Sequence, residues 1–141
     1  KGKQQFGIIK NPKDGIYQAT KSEELGLGTL WLSERWGNKD VGAICGALSQ
    51  VTPSTYIAAG TTHFLTRHPV VLASMAMTLQ SLSGGKFLLG IGRGVPEMFR
   101  AIGLPNISFK HLIEFKISFS LKKFDGTPDT IYLIFIILFF F

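Results

Sequence analysis

An α/β fold built on a parallel sheet is predicted by three observations. Four short runs rich in apolar or β-branched residues recur at similar intervals, segments of helical periodicity lie between them, and capping or turn residues stand at the joints. Strand, helix, strand, helix at this spacing implies right-handed crossovers within one sheet.

In chain order, the first strand is expected in "FGIIK" from Phe6 and is followed by a weaker helix from Gly15 to Leu25, on which Glu23 and Glu24 are expected to be solvated. "TLWLSE" from Thr29 reads as the second strand. Val41, Ile44, Cys45, Leu48 and Val51 then form an apolar helical stripe with Asp40 as its cap. "YIAAGTT" from Tyr56 is the third strand. A third helix carries Val71, Met75, Leu79 and Leu82, with Pro69 in its first turn and Gly84 and Gly85 at its end. "FLLGIG" from Phe87 is the fourth strand.

The chain has 141 residues, enough for one ordinary domain. Its net charge of +6 is scattered rather than gathered on one predicted face, so nucleic acid is not an expected partner. Cys45 sits on the apolar stripe of the second helix and is expected to be a core residue. A single cysteine allows no internal disulfide, which fits a reducing cytoplasm. No secretory signal is expected from the mixed charge, Gln and Pro of Lys1 to Lys13, and an opening Lys in place of Met points to an incomplete or processed start.

Parallel sheets place their chemistry beyond the carboxyl ends of their strands. Here those ends read "SERWGNK", "GTTHFLTRHP" and "GRGVPE", and they hold two of the three histidines and three of the four arginines. The opposite turns, "LGLG" and "LSGG", offer only glycine, leucine and serine. The glycines of "FLLGIGRG" match neither the G-x-G-x-x-G nor the G-x-x-x-x-G-K-[ST] phosphate loop. They are expected to let backbone approach a flat or phosphorylated ligand. No metal site is expected, because His63, His68 and His111 lack the spacing and the carboxylates of one.

The texts "EELGLGTLWLSERW", "AAGTTHFLTRHPVVLASMAMTLQSLSGGKFLLGIGRG" and "VPEMFRAIGLP" resemble the luciferase-like flavin and deazaflavin oxidoreductases, a family of (β/α)8 TIM barrels. The resemblance runs from about Phe6 to Pro105 and implies a partial (β/α)8 barrel of about four βα units in residues 1–105. It also implies hydride transfer between coenzyme F420 and a small organic substrate, with an FMN-dependent monooxygenase as the alternative. A cofactor that carries the redox chemistry demands few protein acids and bases.

Carried over by position, the resemblance makes Glu34 the acid near the coenzyme ring, with Arg35 where sugar- and alcohol-oxidising relatives have histidine. It makes His63 a second catalytic candidate. Gly60, Thr61 and Thr62 cover a turn where the family often has a bulge with a non-prolyl cis peptide, and Arg93 and Gly94 match positions that contact the coenzyme. Each residue also has a plainer role. Glu34 could pair with Arg35 or Lys39 on the rim, Arg67 could hold a carboxylate or the loop, and His68 is expected to serve chain entry into the third helix. Trp31, Trp36, Met75 and Met77 read as packing.

Residues 106–141 change character, with no alanine and eight of the 12 phenylalanines. They are not expected to form a fifth βα unit and suggest a shifted frame or a misjoined gene. The apolar run Ile131 to Phe141 is shorter than the ~20 residues of a membrane span. Half a barrel leaves open sheet edges, so weak or absent turnover is expected from this chain. A homo-oligomer or a non-catalytic half-barrel assembly module is the reading from another class.

Overall fold

The structure is a computed structural model and describes residues 4–6, 11–92, 94–105, 110 and 132–135. Five parallel strands lie in one sheet in the order β1-β2-β3-β4-β5: Gln4–Phe6, Thr29–Leu32, Tyr56–His63, Phe87–Gly92 and Tyr132–Phe135. Helices α1 (Pro12–Glu24), α2 (Val41–Ser49) and α3 (Pro69–Leu82) connect the first four strands, and α4 (Pro96–Ala101) follows β4. Strands in chain order joined by helices are the arrangement of part of a (β/α)8 barrel.

Local chemistry explains where the helices start. The Asn11 side chain caps α1 by accepting from the Lys13 N–H at 3.1 Å, ahead of Pro12 in the first turn. This helix therefore begins three residues before the expected Gly15. Asp40 caps α2 as expected, its Oδ1 accepting from Ala43 N–H at 2.9 Å. His68 caps α3, its Nδ1 accepting from Val70 N–H at 3.3 Å, which gives this histidine the chain-entry role read from the sequence.

The core lies between one face of the sheet and the helices. Leu30, Leu32, Ile57, Ala59, Phe87, Leu89 and Ile91 meet Ala19 of α1, Val41, Ile44, Cys45 and Leu48 of α2, and Leu72, Ala76 and Leu79 of α3. Each large aliphatic buried in this way contributes roughly 1.5–3 kcal/mol. The α2 stripe is as expected from Val41 to Leu48, whereas Val51 lies beyond the end of the helix and is partly buried. The α3 stripe is not as expected, because Val71 and Leu82 are exposed and Leu72, Ala73 and Ala76 face inward. That helix is apolar on most of its circumference, so periodicity alone does not select its buried side. Gln80 of the same helix is buried, and its Oε1 accepts from Phe87 N–H at 3.1 Å, tying α3 to the start of β4.

Two further features concern the chain's edges. Glu23, half-buried, also has structural partners: its carboxylate accepts from Ser54 N–H and Thr55 N–H, both at 2.9 Å, and joins α1 to the loop before β3. In the tail, Tyr132–Phe135 pairs in parallel with β4, matching Leu88 to Tyr132 and Ile91 to Phe135, where no fifth strand was expected. Among the described residues, no helix is long and apolar enough to cross a membrane.

Candidate active site

The carboxyl ends of β2, β3 and β4 converge on a break in β3. Its register with β4 shifts between Ala59 and Thr62, and the Gly60–Thr61 peptide bond within the shift is cis. The bulge carries Thr61 and Thr62 inward, both buried. The Thr61 carbonyl accepts the Glu34 N–H at 3.0 Å, which fastens the end of β2 to the break.

Glu34 is buried, and both of its oxygens are engaged. Oε1 accepts from Val41 N–H at 3.1 Å, and Oε2 accepts from the Thr62 hydroxyl at 2.8 Å and from Arg67 Nη1. Arg67 is thus the ion partner of Glu34, in place of Arg35 or Lys39. The same guanidinium reaches Thr62 Oγ1 at 2.8 Å through Nη1 and binds Asp40 Oδ2 through Nη2. One arginine therefore links the ends of β2 and β3 to the cap of α2. Burial opposes the charge on Arg67, but the hydrogen bond and charge of Glu34, with those of Asp40, outweigh it and raise its pKa. For Asp40 burial likewise opposes ionisation. The Ala43 N–H and Arg67 prevail and hold its carboxyl below the usual range.

His63, at the end of β3, is half-buried against two other rings. Its centroid lies 5.0 Å from Trp36 and 5.6 Å from Phe99, and Trp36 and Phe99 are 5.4 Å apart, all edge to face. Its Nδ1 is buried without a hydrogen-bond partner among the described residues. Burial lowers the His63 pKa, as does Arg67, against the opposite pull of Glu34, so the ring is neutral near pH 7.

Two glycines, Gly90 in β4 and Gly94 just after it, have close neighbours within the chain. A Cβ on Gly90 would stand 2.1 Å from the Ala59 carbonyl oxygen, so β4 runs close to the break in β3 only because no side chain is there. Gly94 has φ of 76°, and a Cβ on it would come within 2.7 Å of Phe99 and 2.8 Å of His63 Nδ1. These two glycines were expected to admit a ligand. Gly90 admits a neighbouring strand, and the absence of a side chain at Gly94 leaves room for the rings of Phe99 and His63.

Of the candidates read from the sequence, the structure gathers Glu34, Gly60, Thr61, Thr62, His63 and Gly94 at one end of the sheet; Arg93 lies outside the described residues. Arg67 was expected to hold a carboxylate or the loop, and it does hold the carboxylates of Glu34 and Asp40; Phe99 was not singled out. Arg67 and Asp40 lie 27 residues apart, and no local pattern announces their contact. Cys45 is fully buried on α2, and burial pushes its thiol pKa well up, which suits a core residue. Among the described residues, no group of three or more metal-ligating side chains comes together.

A sheet-end site on part of a (β/α)8 barrel defines a class of enzyme scaffold. Residues 2–110 match the luciferase-like monooxygenase family, and the chain belongs to it. It is 31% identical over 103 residues to a 5,10-methylenetetrahydromethanopterin reductase of Methanolobus tindarius, a match that covers 70% of this chain and 32% of the relative. The structure of the coenzyme F420-dependent tetrahydromethanopterin reductase from Methanopyrus kandleri superposes with a TM-score of 0.65 at 26% identity, over 74% of this chain and 30% of that one. An F420-dependent secondary alcohol dehydrogenase shares the fold with a TM-score of 0.79 at 18% identity, over 96% of this chain and 52% of that one. The chain spans about a third of the length of the curated reductase it matches.

Proposed function

We propose that this chain forms the coenzyme-binding end of an F420-dependent oxidoreductase that transfers hydride to or from a small organic substrate. The observation that carries the reading is the 26% identity to an F420-dependent reductase over 74% of this chain. The residues present suit such a coenzyme. The register of β3 breaks at the strand ends, and His63 Nδ1 is a buried polar atom without a hydrogen-bond partner among the described residues.

In this reading Gly60, Thr61, Thr62, Gly94 and Arg93 would hold the coenzyme. When bound, F420 supplies a ring carbon that accepts or donates hydride. Glu34 and His63 divide the polar work. Glu34 orients Thr62 and Arg67, because its oxygens are already engaged. His63, whose Nδ1 has no hydrogen-bond partner among the described residues, is the group able to accept a proton or a hydrogen bond. The aromatic rings of Trp36 and Phe99 fix the plane of the imidazole and keep water from it.

Fluorescence titration of the 141-residue chain with F420 and with FMN tests the reading. Selective quenching of F420 supports it. Binding of FMN alone replaces it with the monooxygenase reading, and a discrete dimer without affinity for either would leave a non-catalytic assembly module. With β1 and β5 as the edges of a five-stranded sheet, turnover by this chain alone is expected to be weak.

A further inference from the structure

We propose that the cleft between the β2–α2 hairpin and Arg67 binds an anionic group, a carboxylate or a phosphate, between Arg35 and Lys39. That this anion belongs to the substrate rests on the oxidoreductase reading; the anion site itself does not.

The hairpin is built to set two cations side by side. Lys39 N–H donates to the Arg35 carbonyl at 2.9 Å and Arg35 N–H to the Lys39 carbonyl at 3.4 Å, an antiparallel bridge closed by a turn in which Gly37 has φ of 75°. Residues paired directly across such a bridge project from the same side, and like charges there destabilise the pair. Arg35 and Lys39 nevertheless both line a cleft of about 360 Å³, a volume within the range of small-molecule sites.

Lys39 is only 7% exposed, its stem covered by the fold, and an ammonium drawn partly out of water gains from a paired anion. Among the described residues no carboxylate stands within ion-pair distance of it. The two acids that share the cleft, Glu34 and Asp40, are both engaged by Arg67. Burial, and then the charge of Arg35, hold the Lys39 pKa below that of an ordinary lysine. An anion seated between the two side chains would relieve their repulsion and supply the missing partner. A neutral or cationic ligand would do neither.

The test is calorimetric titration of the 141-residue chain, without coenzyme, with inorganic phosphate and separately with acetate, against chloride at matched ionic strength. Wild type should bind at least one of them saturably. Lys39→Met and Arg35→Gln should each weaken that binding roughly tenfold, the loss of one charge-assisted contact. Lys86→Met, outside the cleft, should leave it unchanged. Binding of phosphate alone assigns a phosphorylated ligand, and binding of acetate alone a carboxylate; either supports the proposal. Absence of saturable binding, no loss in Arg35→Gln, or an equal loss in Lys86→Met overturns it. Arg35 is exposed, so its variant reads the site even where Lys39→Met does not fold. Titrating F420 into the same samples separates the two claims. Anion binding without F420 binding removes the oxidoreductase reading alone, and F420 binding without anion binding removes the anion site alone.

Discussion

The guanidinium of Arg67, in the loop after β3, binds the buried carboxylate of Glu34 at the end of β2, 33 residues earlier in the chain. Removing one member of a buried pair strands the charge of the other. Arg67→Met should therefore cost about 3 kcal/mol of unfolding free energy, read by urea denaturation. Asp40→Asn should cost less than about 1 kcal/mol, because Asp40 is exposed and asparagine still caps α2. Equal losses in the two variants would show that Arg67 is not organised around Glu34.

His63 gives stability a pH dependence of definite sign. Its pKa is lower in the folded chain than the ordinary value of 6.5, chiefly through burial. The unfolded chain then binds the proton more readily, so the contribution of this residue is complete above pH 6.5 and declines as pH falls from there toward the folded value. Asp40, whose folded pKa is also lowered, adds a second decline at pH below the usual carboxylate value. His63→Gln should flatten the upper decline and leave the lower one, in denaturation midpoints measured from pH 2 to 8.

Gly94 and Gly37 share a positive φ, of 76° and 75°, but not surroundings. Alanine at Gly37 meets nothing within 4 Å and should cost only the backbone term of roughly 1–2 kcal/mol. Alanine at Gly94 would add contacts of 2.7 Å with Phe99 and 2.8 Å with His63 and should cost clearly more. Comparing the melting temperatures of the two variants isolates the clash.

Cys45 should be silent toward a thiol reagent in the native chain. Its side chain is fully buried and its pKa is raised by burial, so thiolate is scarce. Labelling by a disulfide reagent is expected only in denaturant, with a midpoint that coincides with unfolding. Rapid labelling without denaturant would mean that α2 opens readily.

The sequence made β2, β3 and β4 visible because each is a short apolar run ending in residues of different chemistry, whereas β1, Gln4–Phe6, meets the expected "FGIIK" only at Phe6, and the rest of that run lies outside the described residues. The resemblance, carried over by position, offered Glu34 and His63 as candidates, and both lie at strand ends. The sequence could not name the partner of Glu34, since the Arg67 contact exists only once β2 and β3 lie side by side. Burial of Lys39 escaped for a similar reason: a charged residue in a turn reads as solvated until the fold closes over it. The inward face of α3 was misjudged because valine, methionine and leucine occupy nearly every side of that helix, and only packing against β4 decides which of them is covered. The strand Tyr132–Phe135 was hidden within a phenylalanine-rich tail whose composition departs from that of the rest of the chain.

The five strands lie in the sheet in the order in which the chain encodes them. As the polypeptide leaves the ribosome, each new strand can therefore dock on the one made just before it, and no later segment has to be threaded between two already placed. Assembly can advance along a single growing edge, so a pause in synthesis between two βα units leaves behind a smaller sheet of the same kind.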